Sequence, residues 1–503
     1  MRIARAQAAE PPLRSAECAV GPAIDTSRGG GAAVTTVHPD AEPASGHRGR
    51  ATGPQGDSLG HPRGLYLLFA TEMWERFSYY GMRALLVLSL IAATDATNPG
   101  FGWSKGEALR LYAWYTGLFY FTPVIGGWLA DQYLGQRKAV MIGGLTMAVG
   151  QLTLAVGIHP GSANTLVFVG GLAILIVGNG FFKANISTIV GELYSRSDAR
   201  RDSAFTIFYM GINLGAFVAP FVCSTLGENS RYGWSYGYLC AGVGMICSVI
   251  IQFTLAQRYL GNAGRQPSAR RSPANVDGTK ARLTPEERDR LRVILTLFVF
   301  VVAFWAALEQ AGGLMNVFAS ESTDRKVAGF EVPAGWFQSL GPIFILVLAP
   351  IFSRVWITLG HRGANPPAPL KMAGGLLLTG IGFLFMVAAV VQRDASVAHQ
   401  AAMSWLVLAY LFHTMGELCI SPVGLSLMTK LAPMRLAGLI MGVWFLIYFF
   451  ANLLAGYVGA GAEKYGDLLV FGGIAATLGV FAVILWALSG RVVDWMHGAE
   501  RTM

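Results

Sequence analysis

Charge is what this chain most lacks. Of its 503 residues, 13% are Asp, Glu, Lys or Arg and 53% are hydrophobic. Soluble domains carry about a quarter charged residues, so a chain this depleted cannot clothe a globule with polar groups, and lipid is the solvent it fits. Cysteine is scarce as well. The five (Cys18, Cys223, Cys240, Cys247, Cys419) show neither metal-ligand spacing nor a paired framework. Four lie in apolar runs, where a free thiol packs as a small hydrophobe. No His-Glu-x-x-His pair, Walker loop or nucleophile elbow occurs, which argues against a membrane enzyme, and no cofactor or metal is implied. Residues 1–63 lack the apolar core of about 7–15 residues that a signal peptide needs. Rich in Ala, Gly, Pro, Ser and Arg, they read as a disordered N-terminal extension, or as sequence upstream of the true start. The net charge of +9 forms no stripe that would suit a nucleic acid; the cations collect between apolar runs.

Those runs are abundant. A bilayer core takes about 20 largely apolar helical residues, and spans are expected near 65–92, 108–131, 138–158, 165–190, 204–224, 236–257, 292–318, 335–356, 370–391, 402–429, 437–460 and 467–489. Alternate loops separate cleanly by Lys and Arg. One set carries Arg137, Lys138, Arg196, Arg200, Arg201, the run from Arg258 to Arg292, Arg354, Arg362, Lys371, Lys430 and Arg435. The other carries Lys105, Arg110, Arg231, Arg325, Lys326, Arg393 and Lys464. The positive-inside rule makes the rich set cytoplasmic and puts both termini inside a cell membrane, the inner or plasma membrane. The break at 258–291 separates a bundle over 64–257 from one over 292–490, with a tail at 491–503. Within it, Thr284-Pro285-Glu286-Glu287 reads as an N-cap, a first-turn proline and acids suited to the helix dipole. A helix is expected to start there and run straight into the seventh span.

Seven ionisable residues fall where lipid should forbid them: Glu72, Glu75, Arg76, Arg83, Lys183, Glu309 and Glu417. Each costs at least about 2.5–3.5 kcal/mol in mid-membrane if unpaired, so the set must pair, face a hydrated cavity or be partly neutral. At 100° per residue, Glu72, Glu75, Arg76, Tyr79, Tyr80 and Arg83 fall within an arc of about 140° of the first span. That face could be a polar helix–helix seam, but seams in membranes generally use small residues or a single polar pair. Formally the seven sum to minus one, four acids against three cations. A bound proton brings the sum to zero, and a zwitterion leaves it there.

The motif Glu72-x-x-Glu75-Arg76-Phe77-x-Tyr79-Tyr80-Gly81 resembles the first-helix signature of the proton-dependent oligopeptide transporter family. Further segments resemble that family in order. They are Gly126-Gly127-Trp128-Leu129-Ala130-Asp131 with Gly135-x-Arg137-Lys138, then Gly180 to Ser187, Phe205 to Pro220, and Gly416-Glu417-Leu418 with Ser421-Pro422. Together they cover residues 64–490. The resemblance implies an all-α integral membrane protein of the major facilitator fold, two six-helix bundles (12 transmembrane helices) around a central cavity, as the six-plus-six layout also suggests. It implies import of di- and tripeptides by symport with protons, with small peptides and the lipid bilayer as partners.

By the same resemblance Glu72, Glu75, Arg76, Lys183 and Glu309 belong to proton coupling. Arg76 and Lys183 would meet the substrate carboxylate and Glu417 its amino group. Tyr79, Tyr80, Arg83, Tyr120, Asn213 and Trp444 would line the pocket. Asn316, seven residues from Glu309, shares its helix face and is a pocket candidate. Asp131 and Arg137 either latch an inward gate or hold their loop. His413 stands four residues before Glu417, as a pH-sensing partner or as a hydrogen-bonded packing residue. One departure bears on cargo: Gly341 stands where the family has an Asn that helps bind the substrate's amino end. The alternatives are therefore a different cargo on the same fold (another zwitterion, an anion or a drug-like molecule) and a sensor that binds peptide without moving it.

Overall fold

Lipid-length helices dominate the computed structural model, which describes residues 60–195, 198, 200–267, 284–431 and 437–498. Residues 1–59 of the extension expected over 1–63, the middle of the linker at 268–283 and the last residues of the tail lie outside the described residues, and Arg63, the last of that extension, already opens the first helix. In chain order the helices are α1 (Arg63–Ile91), α2 (Lys105–Leu129), α3 (Gln136–Gly157), α4 (Thr165–Glu192), α5 (Arg200–Gly227) and α6 (Trp234–Tyr259), then α7 (Pro285–Leu308) and α8 (Leu314–Ser322). After them come α9 (Leu340–His361), α10 (Ala368–Ala395), α11 (Met403–Leu431), α12 (Ala437–Ala460), the short α13 (Ala462–Tyr465) and α14 (Asp467–Trp495).

Ten helical segments are long and apolar enough to cross a membrane. The two further spans are α1 and α2, of 29 and 25 residues. Charge sets α1 apart from the ten, with Glu72, Glu75, Arg76 and Arg83 along it; α2 is uncharged from Leu111 to Leu129 but is diluted by Tyr, Trp, Thr and Gly. Large apolar side chains such as Trp128, Val156, Phe253, Leu295 and Trp486 point outward, the arrangement that a lipid-bathed surface requires and a water-bathed one does not.

In the first bundle α1 packs on α5 and α6, α3 on α4 and α6, and α2 on α4. In the second, α10 packs on α11 and α14, and α7 on α12 and α14. The close approach of α2 to α4 depends on Gly126, where an added Cβ would lie 2.0 Å from the carbonyl oxygen of Gly180. Such backbone-to-backbone contact replaces the hydrophobic drive that lipid removes.

The two bundles meet along two flanks. On one, α2 lies against α12; on the other, α5 lies against α9 and the 3₁₀ turn Ala334–Ser339 that leads into it. Thr284 caps α7 through a reciprocal pair with Glu287, with Pro285 at the first position, so the expected helix does run unbroken into the seventh span. That span then breaks at a 3₁₀ turn, Glu309–Gly312, before resuming as α8. The remaining regular structure is small: β1 (Thr323–Asp324) pairs with β4 (Ala401–Ala402), and β2 (Lys326–Val327) with β3 (Phe330–Glu331).

Candidate functional site

The charged face of α1 is buried, and each of its ions finds a counter-ion. Glu72, with no exposure at all, accepts a hydrogen bond from Lys183 Nζ of α4 at 2.8 Å on Oε1, and Arg76 Nε lies 3.4 Å from the same oxygen. Arg76 also grips Glu75 through two parallel bonds, Nε to Oε2 at 2.5 Å and Nη2 to Oε1 at 2.6 Å. Its guanidinium lies 5.1 Å from the centre of the Tyr79 ring, which in turn stacks on Phe119 of α2 at 4.5 Å. Two acids and two bases thus close into one neutral knot between α1 and α4. Lys183 alone stays 22% exposed, which leaves it the member most open to a solute.

Two turns along α1, Arg83 donates from Nη2 to Glu309 Oε2 at 2.7 Å and from Nε to the Tyr112 hydroxyl at 2.7 Å, with the Tyr80 ring beside it. Glu309 stands at the break in the seventh span, so this pair crosses from one bundle to the other. The turn leaves no room for a side chain at Gly312, where a Cβ would lie 2.3 Å from the Tyr112 hydroxyl and 2.4 Å from Arg83 Nε.

Among the described residues Glu417, half-buried on α11, has no hydrogen bond or ion pair. The pairing above neutralises the other six ions, so the net negative charge of the set rests on Glu417. An aromatic wall runs between the bundles. Tyr120 of α2 stacks on Tyr448 of α12 at 5.0 Å, and Tyr448 meets both Trp444 and Trp305.

The other expected residues are placed less centrally. Asn213 is buried and donates to the Tyr209 carbonyl of its own helix. Asn316 was expected on the pocket wall, but its amide bonds to the Ala84 carbonyl of α1, and it is 1% exposed. The close packing of α8 on α1 puts it in the seam between the bundles. Asp131 accepts from Gln136 Nε2, and Arg137 donates to the Gly261 carbonyl. The first contact stays at the end of α2, and the second ties the start of α3 to the beginning of the linker. His413 packs against Phe383 with ring centres 4.5 Å apart, and its Nε2 is buried without a partner. It is a packing residue, though not the hydrogen-bonded one expected.

Sequence reasoning missed Tyr112, Tyr448 and Trp305. Tyr112, Thr116 and Tyr120 repeat every fourth residue, as do Trp444 and Tyr448, and that spacing puts each group on one helix face.

Residues 137–276 and 274–466 match the family model described as the POT family. The chain belongs to the POT family. A curated relative, an uncharacterised transporter of Bacillus subtilis, is 36% identical over 88% of this chain and 97% of its own length. A peptide transporter of Yersinia enterocolitica is 35% identical over 80% of this chain and 88% of its own. A di-/tripeptide transporter of Lactococcus lactis is 35% identical over 77% and 87%. The fold agrees. A crystal structure of a POT peptide transporter in complex with sulfate superposes with a TM-score of 0.80 at 35% identity, covering 89% of this chain and 98% of that one. A POT family transporter in complex with 5-aminolevulinic acid gives 0.79 at 28%, covering 87% and 98%. The chain is a transporter, not an enzyme.

Proposed function

We infer that this POT family member imports di- and tripeptides by symport with protons, by alternating access between its two bundles. The observation that carries this reading is the division of charge. A neutral knot containing the half-open Lys183 lies on the first bundle, and the unpaired Glu417 lies on the second. A zwitterion between them has its carboxylate directed to Lys183 and Arg76 and its ammonium to Glu417 by charge-assisted hydrogen bonds. Tyr79, Tyr80, Tyr120 and Trp444 give apolar bodies with polar tips, which accept varied side chains. Asn213 stays a candidate for the pocket edge. Coupling falls to the acids that hold the bases: protonating Glu72, Glu75 or Glu309 frees Arg76, Lys183 or Arg83 to engage cargo or the opposite bundle. No cofactor enters beyond the co-transported proton. Both termini are assigned to the cytoplasm on the Lys and Arg distribution, which makes the Ile91 end of α1 external.

The test is uptake of labelled dialanine into proteoliposomes with an inward proton gradient and a negative-inside potential. One proton moving down 100 mV supplies about 2.3 kcal/mol, or roughly fifty-fold accumulation. Uptake above equilibrium that collapses with a protonophore is the expected result. A correctly folded protein that takes up no dialanine would overturn the peptide assignment.

A second reading, a cargo other than an ordinary peptide, is favoured by one position. A Cβ at Gly341 would meet no heavy atom within 4 Å, so the site has free volume where the family has a carboxamide. Gly341→Asn restores two donors and an acceptor there. It is expected to raise apparent dialanine affinity several-fold, by about 1 kcal/mol for one neutral hydrogen bond, and to weaken binding of bulkier cargo. Competition uptake with a size-graded series checks this, and an unchanged ranking would take Gly341 out of cargo selection.

A further inference from the structure

Two contacts on opposite flanks of the molecule share one construction. Glu228, the residue after α5, accepts hydrogen bonds from the backbone N–H groups of Ala334 (2.6 Å) and Gly335 (2.8 Å), the first two residues of the turn leading into α9. Glu463, in α13 just after α12, accepts from the backbone N–H of Gly106 (2.8 Å), the second residue of α2. Each carboxylate thus follows the fifth span of one bundle and holds the opening of the second span of the other.

The correspondence extends to register. Gly106 stands two residues after the N-cap Ser104, and Gly335 two residues after the N-cap Pro333. Neither site has room for a side chain: a Cβ would lie 2.2 Å from Glu463 Oε2 at Gly106, and 1.9 Å from Ser224 Oγ at Gly335. Free N–H groups at a helix start carry partial positive charge and favour an anion. Both contacts join the bundles at the Ile91 end of α1, with the Lys105–Glu321 ion pair, the Asn316–Ala84 bond and the Arg83–Glu309 pair.

We propose that Glu228 and Glu463 are a matched pair of latches, related by the pseudo-twofold of the two bundles, that set the stability of the state sealed at this end. They are positioning residues: neither is among the groups placed at the cargo, and each acts through the helix start it holds. Opening this end must break both, because α9 leaves Glu228 on one flank as α2 leaves Glu463 on the other. The paired construction makes the motion a rocking about the axis between the bundles, with neither flank able to open alone. Arg325 lies 4.0 Å from Glu228 and bonds Glu331 at 2.9 Å, so it steadies the first latch without being its main partner.

The proposal rests on the alternating-access reading, and its test needs neither cargo nor gradient. Spin labels at Ala96 and Val397, both exposed at this end, are placed on a cysteine-free background in lipid nanodiscs, and distances are read by double electron–electron resonance. Glu228→Gln and Glu463→Gln keep side-chain shape but remove the charge. Each is expected to shift the ratio of sealed to open populations about tenfold toward open, as for loss of one charge-assisted hydrogen bond. The double variant is expected to show mainly the longer distance. Aspartate at either position keeps the charge with shorter reach and is expected to give an intermediate shift; these variants carry the test should the glutamines not fold. A double variant with the parent's distances would overturn the proposal, and a shift confined to one latch would overturn the pairing. Changed distances beside absent dialanine uptake would uphold the latches while refuting the peptide reading.

Discussion

Glu72→Gln is expected to abolish proton-driven accumulation, with the roughly fifty-fold uptake above equilibrium falling to the equilibrium level. Glu72 is wholly buried and its Oε1 is shared between Lys183 and Arg76. A glutamine keeps the shape and one acceptor but leaves two cations facing one carboxylate, Glu75. Breaking a buried ion pair on one side costs about 3–5 kcal/mol. That energy is set against a driving force of about 2.3 kcal/mol per proton at 100 mV. Coupling cannot survive an imbalance larger than its own supply. Lys183→Ala is expected to match it, since the same knot then carries an excess acid. Proteoliposome uptake, with elution as a single folded species as control, checks both. Normal accumulation by Glu72→Gln would remove this residue from the coupling scheme.

Glu309→Gln is expected to separate coupling from movement. Accumulation against a gradient should fall to near equilibrium, while exchange of labelled for unlabelled substrate across the membrane continues. The argument lies in the position of the pair. Arg83 is held by Glu309 and by the Tyr112 hydroxyl, so a neutral residue 309 leaves the guanidinium a hydrogen-bond partner in its own bundle and no counter-ion across the interface. The protonated and unprotonated states of the wild-type acid differ by the several kcal/mol of a buried ion pair, and a glutamine fixes the protein in the protonated-like state. A gate that no longer distinguishes the two states can pass cargo but cannot charge it for the proton. Equal loss of exchange and accumulation would show that the pair serves structure alone.

Much of this arrangement was legible in the sequence, for reasons that differ by feature. The spans were legible because lipid thickness imposes a length, and the membrane charges because each is too costly to be accidental. The cap of α7 was legible because Thr284, Pro285 and Glu287 form a local signal complete within four residues. Partnerships made through space have no local signal, and only that of Lys183 with a first-helix acid was implied, by the resemblance. Nothing local says that Arg76 grips its neighbour Glu75 bidentately, or that the Asn316 amide bonds to a carbonyl of α1 and not to a cargo. The crowding of Gly312, in the break at Glu309–Gly312, was hidden for the same reason: the groups that press on it, Arg83 and Tyr112, lie about two hundred residues away in sequence. Tyr448 and Trp305 were missed because aromatic residues are common in any apolar span, and only the partner helix shows which ones meet.

The charged face of α1 also bears on how the chain is made. A translocon tests each emerging segment by its own partition into lipid, and about 2.5–3.5 kcal/mol per ion makes α1, with four buried charges, a poor candidate on its own. Its Leu-rich second half, Ala84 to Ile91, is what favours entry; its first half, where Arg76 already offsets Glu75, is fully balanced only once Lys183 of the fourth span is present to pair with Glu72. The first span is therefore expected to wait near the insertion site until the fourth span, Thr165–Glu192, has been synthesised. The charge pattern that serves transport thus sets the order in which the first bundle can assemble, and makes its assembly a cooperative event, not a helix-by-helix one.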